Sequence, residues 1–191
     1  MSERLTDHEV AAVTEMVGGG LEFWAEEGVW DLNPEVFALW TNLDGDLGVA
    51  RYPIPDLVWA RGAQLDDALR VLAEVMPRAA RTVGVPEYLH PPNRVLAVLV
   101  IAEAWERWLD PDRPEPDVTP EHDPLSRDVR VAIAVASDTT TWTCRHVKGQ
   151  DEPEAVEVRR DQDSDALSGN LLPGLFGVLR ALETIAEGVA P

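Results

Sequence analysis

Apolar residues recur at helical spacing in three stretches of the chain. Val10, Val13 and Val17 follow one another three or four residues apart, and a similar spacing runs from Leu65 to Val83. In the third stretch the apolar residues form one continuous stripe, at Leu172, Leu175, Phe176, Leu179, Leu182 and Ile185. The pattern therefore predicts an N-terminal helix, a central helix and a C-terminal amphipathic helix.

Local signals mark where the first helix begins and ends. Thr6 and Glu9 fit the capping box, in which each side chain accepts a hydrogen bond from a backbone N–H of the first turn. The glycine triplet at 18–20 predicts that the helix breaks or ends there, and a second helical piece follows from Leu21 to Glu27. We expect residues 1–30 to form a helical N-terminal region, a candidate for a peripheral position in the domain.

Alternating apolar residues predict two β-hairpins. Segments 36–43 and 47–52 flank Asp44-Gly45, a dipeptide typical of a tight hairpin turn. In the second hairpin, segments 129–136 and 139–147 flank Ser137-Asp138.

The remaining apolar runs complete the predicted fold. Segment 95–102 is apolar at every position and predicts a central strand, although the helical appearance of 103–108 leaves a helix as the alternative. A short strand is predicted at 154–159. The mixed order of elements favours an α+β fold, with an antiparallel sheet of about four to six strands and helices packed on one face. We expect residues 1–191 to form a single domain with a proline- and acid-rich loop at 110–124.

Acidic residues concentrate in three regions of the chain. The formal net charge is -19 at pH 7, and residues 1–35, 103–128 and 150–165 contribute -8, -6 and -5. Such a surface repels phosphate backbones and anionic lipids, so we expect no direct binding to nucleic acid or to membrane. The charge suits a basic protein partner, and it is also compatible with a role in solubility alone.

Composition also indicates the compartment. Cys144 is the only cysteine, so the chain has no intrachain disulfide. The first ten residues lack the basic and apolar regions of a signal peptide, and the apolar run at 95–102 is too short to cross a bilayer. We therefore expect a cytoplasmic protein.

Three residues are candidates for chemistry. Cys144 and His146 lie two apart on a predicted strand, so their side chains share a face, but the rise per residue separates them by about 6 to 7 Å. That distance exceeds hydrogen-bond reach, and packing is the alternative. Glu103 follows the apolar run, where it is either a buried acid with a raised pKa or the first residue beyond the core, facing water or paired with an arginine.

Tryptophan and histidine positions complete the set of candidates. Trp24, Trp30, Trp105 and Trp108 are candidates for a contact surface with a partner or with a second copy, because tryptophan is favoured at interfaces. Packing at the edge of the core is the alternative. The four histidines show no ligand spacing, so the sequence predicts no local zinc site, and we expect no cofactor.

These observations rank the function classes. Because no catalytic signature is present in its literal form, the sequence favours a non-catalytic interaction protein that binds a protein partner, of basic character, or itself. A protein that imitates nucleic acid is one version of this hypothesis. The alternative is a small enzyme or ligand-binding domain with a pocket between sheet and helices, for which Glu103, Cys144 and His146 are the candidates.

Overall fold

A computed structural model describes residues 4–26, 28, 30–52, 54, 64–107, 126–160 and 171–188, with the backbone alone for 105–107. The loop predicted at 110–124 lies outside the described residues, as does Trp108. Within this part of the chain there are three helices, α1 (Asp7–Glu26), α2 (Leu65–Val83) and α3 (Leu171–Glu187). A 3₁₀ turn covers Glu87–Leu89. The strands are β1 (Glu35–Thr41), β2 (Leu47–Tyr52), β3 (Arg94–Arg107), β4 (Ser126–Ala136), β5 (Thr141–Val147) and β6 (Glu157–Arg159).

The strands form one antiparallel sheet in the order β2-β1-β3-β4-β5-β6. Its longest pairing joins β3 to β4, from Ala97 opposite Ala136 to Arg107 opposite Ser126. Both predicted hairpins are present. At the first turn Gly45 has a φ of 84°, and its N–H donates to the carbonyl oxygen of Asn42. Glycine adopts this left-handed conformation without steric cost. The predicted α+β class and antiparallel sheet are confirmed.

The helices cover both faces of the sheet, whereas the sequence predicted them on one face. On one side α3 packs against β3 and β4, and α2 packs on α3. On the other side α1 packs against β3, β4 and β5 through Val13, Val17 and Leu21. The reason is the composition of the central strands, because β3 is apolar on both faces and β4 presents Ala132 and Ala134 to α1. The N-terminal region is thus part of the core.

Helix α1 begins at the predicted capping box. The Thr6 N–H donates to Glu9 Oε2 at 2.8 Å, and the Glu9 N–H donates to Thr6 Oγ1 at 3.2 Å. The predicted break at the glycine triplet is wrong, since α1 continues through residues 18–20. These glycines allow close packing instead: a Cβ on Gly20 would lie 3.1 Å from Ile101 Cδ1, and a Cβ on Gly18 would lie 3.3 Å from Val156 Cγ2.

Strand β3 extends past the predicted end at residue 102. It continues to Arg107, and each residue from Glu103 onward pairs with a residue of β4. The local sequence 103–108 favours a helix, but the hydrogen bonds to β4 extend the strand instead. This extension keeps Glu103 within the sheet, opposite Arg130.

Candidate functional site

Three side chains form a row across the sheet near the C-terminal end of α1. Glu103 on β3 lies opposite Arg130 on β4, and Arg130 lies opposite His146 on β5. Residues directly opposite each other on neighbouring strands point to the same face of the sheet. The row therefore joins two of the predicted site residues, Glu103 and His146, through an arginine that sequence reasoning did not select.

Arg130 is the centre of this row and is wholly buried. Its Nη2 donates to Glu103 Oε1 at 2.9 Å, and its Nη1 donates to the carbonyl oxygen of Trp24. The guanidinium carbon lies 4.6 Å from the centroid of the Trp30 ring and 5.1 Å from that of Trp24. A buried charge needs a paired ion and hydrogen bonds to be tolerated, and the aromatic faces add cation–π attraction. Glu103 thus serves as a counter-ion of Arg130.

Glu103 also holds the connection between α1 and β1. Its Oε2 accepts a hydrogen bond of 2.7 Å from the backbone N–H of Asp31, whose φ of 69° places it in the left-handed region. Aspartate tolerates this conformation better than most residues. Each carboxylate oxygen of Glu103 therefore has a partner, one on the sheet and one on the connecting segment.

Trp30 lies between several charged or polar groups at the edge of the row. Lys148 Nζ lies 5.1 Å from the centroid of the Trp30 ring, and the His146 ring centroid lies 6.1 Å from it. Lys148 Nζ also donates to Asp128 Oδ2 at 2.7 Å, and this hydrogen bond raises the pKa of the lysine. Trp30 is partly buried and, like Trp24, packs against the guanidinium of Arg130.

His146 is buried beneath this aromatic cover. Its Nε2 lies 3.0 Å from the carbonyl oxygen of Gln150 and therefore carries the proton, because a carbonyl oxygen can only accept. Its Nδ1 is buried and has no hydrogen-bond partner within the described part of the chain. The imidazole thus donates from Nε2 to the turn after β5.

Cys144 lies on the same face of β5 as His146, as the alternation predicts, but the two are not joined by a hydrogen bond. The Cys144 Sγ donates to the carbonyl oxygen of Glu154 at 3.0 Å. Burial raises the pKa of the Cys144 thiol, and the nearby carboxylates of Glu154 and Glu22 act in the same direction. A raised pKa favours the thiol over the nucleophilic thiolate. The environment of Cys144 is that of a packed core residue.

The four tryptophans predicted as contact residues fall in different places. Trp24 is buried against Arg130, and Trp30 is partly buried beside it. Trp105 lies on β3, where only its backbone is described, and Trp108 lies outside the described residues. The two rings that the structure describes therefore both pack against the guanidinium of Arg130.

Sequence reasoning did not select Arg130, because it alternates with Val129 and Val131 on a predicted strand and belongs to no catalytic or ligand-binding motif. A signal was present in the same strand: the positions that continue its face, Ala132, Ala134 and Ala136, are apolar rather than polar. An arginine in line with three alanines indicates a charge beneath a packed helix. Its partners could not be identified, since Trp24 is 106 positions away in the sequence.

The described residues offer neither a metal site nor a membrane span. Across the described residues, no group of three or more His, Cys, Asp or Glu side chains is arranged to hold a metal ion. None of the helices in the described part of the chain has the length and apolar character to cross a membrane. In comparisons with known proteins, the chain matches no family model, no curated protein and no solved structure.

Proposed function

We propose that this chain is a non-catalytic protein-binding protein that recognises a basic protein partner through its acidic surface. The net charge of -19 supports a cationic partner and disfavours direct contact with nucleic acid. A cytoplasmic location is part of the same proposal, because the single cysteine is a buried thiol with no disulfide to form.

The outer face of α1 is the observation that carries the proposal. Glu15, Glu22 and Glu26 are exposed there, at spacings of seven and four residues that place them on one side of the helix. Phe23 is 60% exposed beside them. Helix α1 carries five acids and neither lysine nor arginine. We name Glu15, Glu22, Phe23 and Glu26 the acidic face of α1.

This face suits a partner that brings positive charge and an apolar contact. Glu22 and Glu26 are four residues apart, and like charges at that spacing repel and cost some helix stability. A cation from a partner would relieve this repulsion. An exposed aromatic ring inside an acidic rim offers the apolar centre that protein interfaces favour. The packing of α1 on the sheet holds these side chains on a rigid element.

The positions of the chemical candidates support a non-catalytic role. Glu103 is engaged by Arg130 and by the Asp31 N–H, and Cys144 donates to a backbone carbonyl. His146 donates to the turn that follows its strand. Glu103 therefore holds the connection between α1 and β1, and Cys144 and His146 hold the segment that follows β5.

The test is to capture the partner and then measure its affinity. The tagged chain is incubated with lysate of the native host at low and moderate salt, and proteins retained at low salt are identified by mass spectrometry and purified. We expect a basic protein whose dissociation constant rises with ionic strength. Glu22→Gln/Glu26→Gln should weaken it by about tenfold, which corresponds to roughly 1.4 kcal/mol. Phe23→Ser should weaken it to a similar degree.

The matched control is Glu87→Gln/Glu187→Gln. It removes the same number of exposed carboxylates from the 3₁₀ turn and from α3, which belong to the opposite face of the sheet. If both double variants weaken binding equally, net charge rather than the acidic face of α1 accounts for recognition. If the purified partner binds equally at both salt concentrations, or if a small molecule is retained in place of a protein, the proposed function is wrong.

A further inference from the structure

Helix α2 exposes an apolar stripe on a side that does not contact α3. Val71 is 50% exposed and Val75 is 49% exposed, one helical turn apart. On the inner side of the same helix, Leu69 and Met76 are buried in the core against α3. Within the part of the chain that the structure describes, about half of each valine side chain therefore remains open to a partner.

The charge of α2 sets it apart from α1. It contains Asp66, Asp67 and Glu74 together with three arginines, at 70, 78 and 81, so its formal charge is zero. By contrast, α1 has five acids and no lysine or arginine. In a chain with a net charge of -19, α2 thus combines a neutral surface with exposed apolar side chains.

We propose that Val71 and Val75 form the centre of a symmetric dimer in which α2 packs antiparallel against α2 of a second copy. This inference goes beyond the proposed function, because it concerns a different helix and a different partner. Two-fold dimers use the same patch on both copies, so the patch must complement itself. A stripe of two valines does so.

The distribution of charge favours a second copy of the chain as the partner that covers Val71 and Val75. Two chains of charge -19 repel each other across most surfaces, and a neutral helix is where two copies can approach at the smallest electrostatic cost. An antiparallel crossing centred between Val71 and Val75 brings Asp67 of one copy beside Arg78 of the other. The apolar stripe and the contact between Asp67 and Arg78 therefore complement their own symmetry mates.

The size of the patch sets the expected affinity. A helix of 19 residues is about 28 Å long and about 10 Å wide. Its footprint is therefore roughly 300 Å², which is below the area of about 800 Å² that each partner buries in a standard interface. We expect a weak dimer with a dissociation constant in the micromolar range or above.

Sedimentation velocity over a concentration series tests this dimer with the purified full chain and no partner present. We expect the average mass to rise toward two copies as the concentration increases to about 300 µM. Val71→Lys/Val75→Lys should remain monomeric. The matched control is Leu43→Lys/Val49→Lys on the β1–β2 hairpin, which replaces two side chains that are 80% and 44% exposed and should dimerise like the wild type.

Salt distinguishes this contact from the binding of a basic partner. Screening weakens the repulsion between two copies, so dimerisation should strengthen as salt rises, whereas affinity for a basic protein should fall. A wild-type chain that stays monomeric throughout the series overturns the dimer and leaves the proposed function untouched. Dimerisation that persists in Val71→Lys/Val75→Lys equally overturns the assignment to α2.

Cysteine cross-linking gives an independent measurement. The native Cys144 is buried, so Val71→Cys/Val75→Cys introduces the only exposed thiols, and Leu43→Cys/Val49→Cys is the matched control. In the proposed crossing residue 71 of one copy faces residue 75 of the other, so under mild oxidation we expect a disulfide-linked dimer from Val71→Cys/Val75→Cys at a rate at least about tenfold above that of the control, because association raises the effective concentration of the thiols. Equal rates contradict the proposed crossing of the two helices.

Discussion

Glu103 and Arg130 lie directly opposite each other on β3 and β4 and form an ion pair of 2.9 Å, with the guanidinium wholly removed from water. Sequence spacing left open whether Glu103 is a functional acid or a partner of an arginine, and the geometry places it against Arg130. The same arginine reaches the last turn of α1 through the carbonyl oxygen of Trp24. The ion pair and this hydrogen bond therefore hold the C-terminal end of α1 against the sheet.

Removing Glu103 should cost far more stability than removing an exposed partner. Glu103→Leu removes a hydrogen-bonded counter-ion from the wholly buried Arg130, and we expect the free energy of unfolding to fall by about 3 to 5 kcal/mol. Replacing both groups, in Glu103→Leu/Arg130→Met, should recover at least half of this loss, because the buried positive charge is removed together with Glu103. Urea unfolding followed by circular dichroism measures each value.

An exposed ion pair serves as the control for that series. Glu157 pairs with Arg159 on β6 at 2.8 Å, and its side chain is 57% exposed. Glu157→Gln should change the free energy of unfolding by less than about 1 kcal/mol. If Glu103→Leu lowers the free energy of unfolding by no more than Glu157→Gln does, the buried pair does not hold α1 against the sheet.

The thiol of Cys144 should be unreactive while the chain is folded. Its Sγ is buried and donates to the Glu154 carbonyl, and its pKa is raised above the ordinary value of 9.0 by burial. We expect a thiol reagent at pH 8 to modify the native protein at least about 100-fold more slowly than the urea-unfolded chain, because modification requires local opening. Comparable rates in the two states would indicate an accessible thiolate and return Cys144 to the list of chemical candidates.

Much of the architecture followed from periodicity in the sequence. All three helices and both hairpins were predicted, because amphipathic helices and alternating strands carry their burial pattern locally. The placement of α1 and the length of β3 could not be obtained this way. Glycine at 18–20 is costly in an isolated helix, and the close approach of Ile101 and Val156 that makes its small size useful is a tertiary contact.

The candidate site was less accessible to sequence reasoning than the fold. Glu103 and His146 were selected as single residues, but the residue that joins them is Arg130, which no motif of the sequence marks. Its burial depends on Trp24 and Trp30, which come from a distant part of the chain. Local patterns indicate which positions face inward. Whether a charged side chain can be buried depends on partners that are distant in the sequence and that the fold brings together.

Glu9 should make stability depend on pH. Burial opposes its ionisation, but hydrogen bonds from Thr6 and the charge of Arg94 outweigh this effect and hold its pKa below the ordinary 4.5. The carboxylate therefore stabilises the fold above pH 4.5, and this contribution is lost as pH falls through the lower value of the folded state. We expect Glu9→Gln to be less stable than the wild type at about pH 7, with the difference shrinking toward about pH 3.

Urea unfolding at several pH values measures this change, with Glu15→Gln as the control from the exposed side of α1. The difference in the free energy of unfolding between Glu15→Gln and the wild type should not shrink in the same way as the pH falls. A deficit of Glu9→Gln that stays constant across the range would mean that the capping box and the ion pair with Arg94 do not favour the charged carboxylate.

The glycine triplet of α1 offers a comparison between neighbouring positions in one helix. A Cβ on Gly19 meets no atom within 4 Å, so Gly19→Ala should raise the free energy of unfolding by about 0.5 to 1 kcal/mol through the better helix propensity of alanine. A Cβ on Gly20 would lie 3.1 Å from Ile101 Cδ1, and this crowding should cancel or exceed the same gain. Ile101→Val removes Cδ1, so in that background Gly20→Ala should recover a gain close to that of Gly19→Ala. Urea unfolding of the single and double variants measures these differences. If Gly19→Ala and Gly20→Ala stabilise the wild-type protein equally, α1 does not approach β3 closely at Gly20.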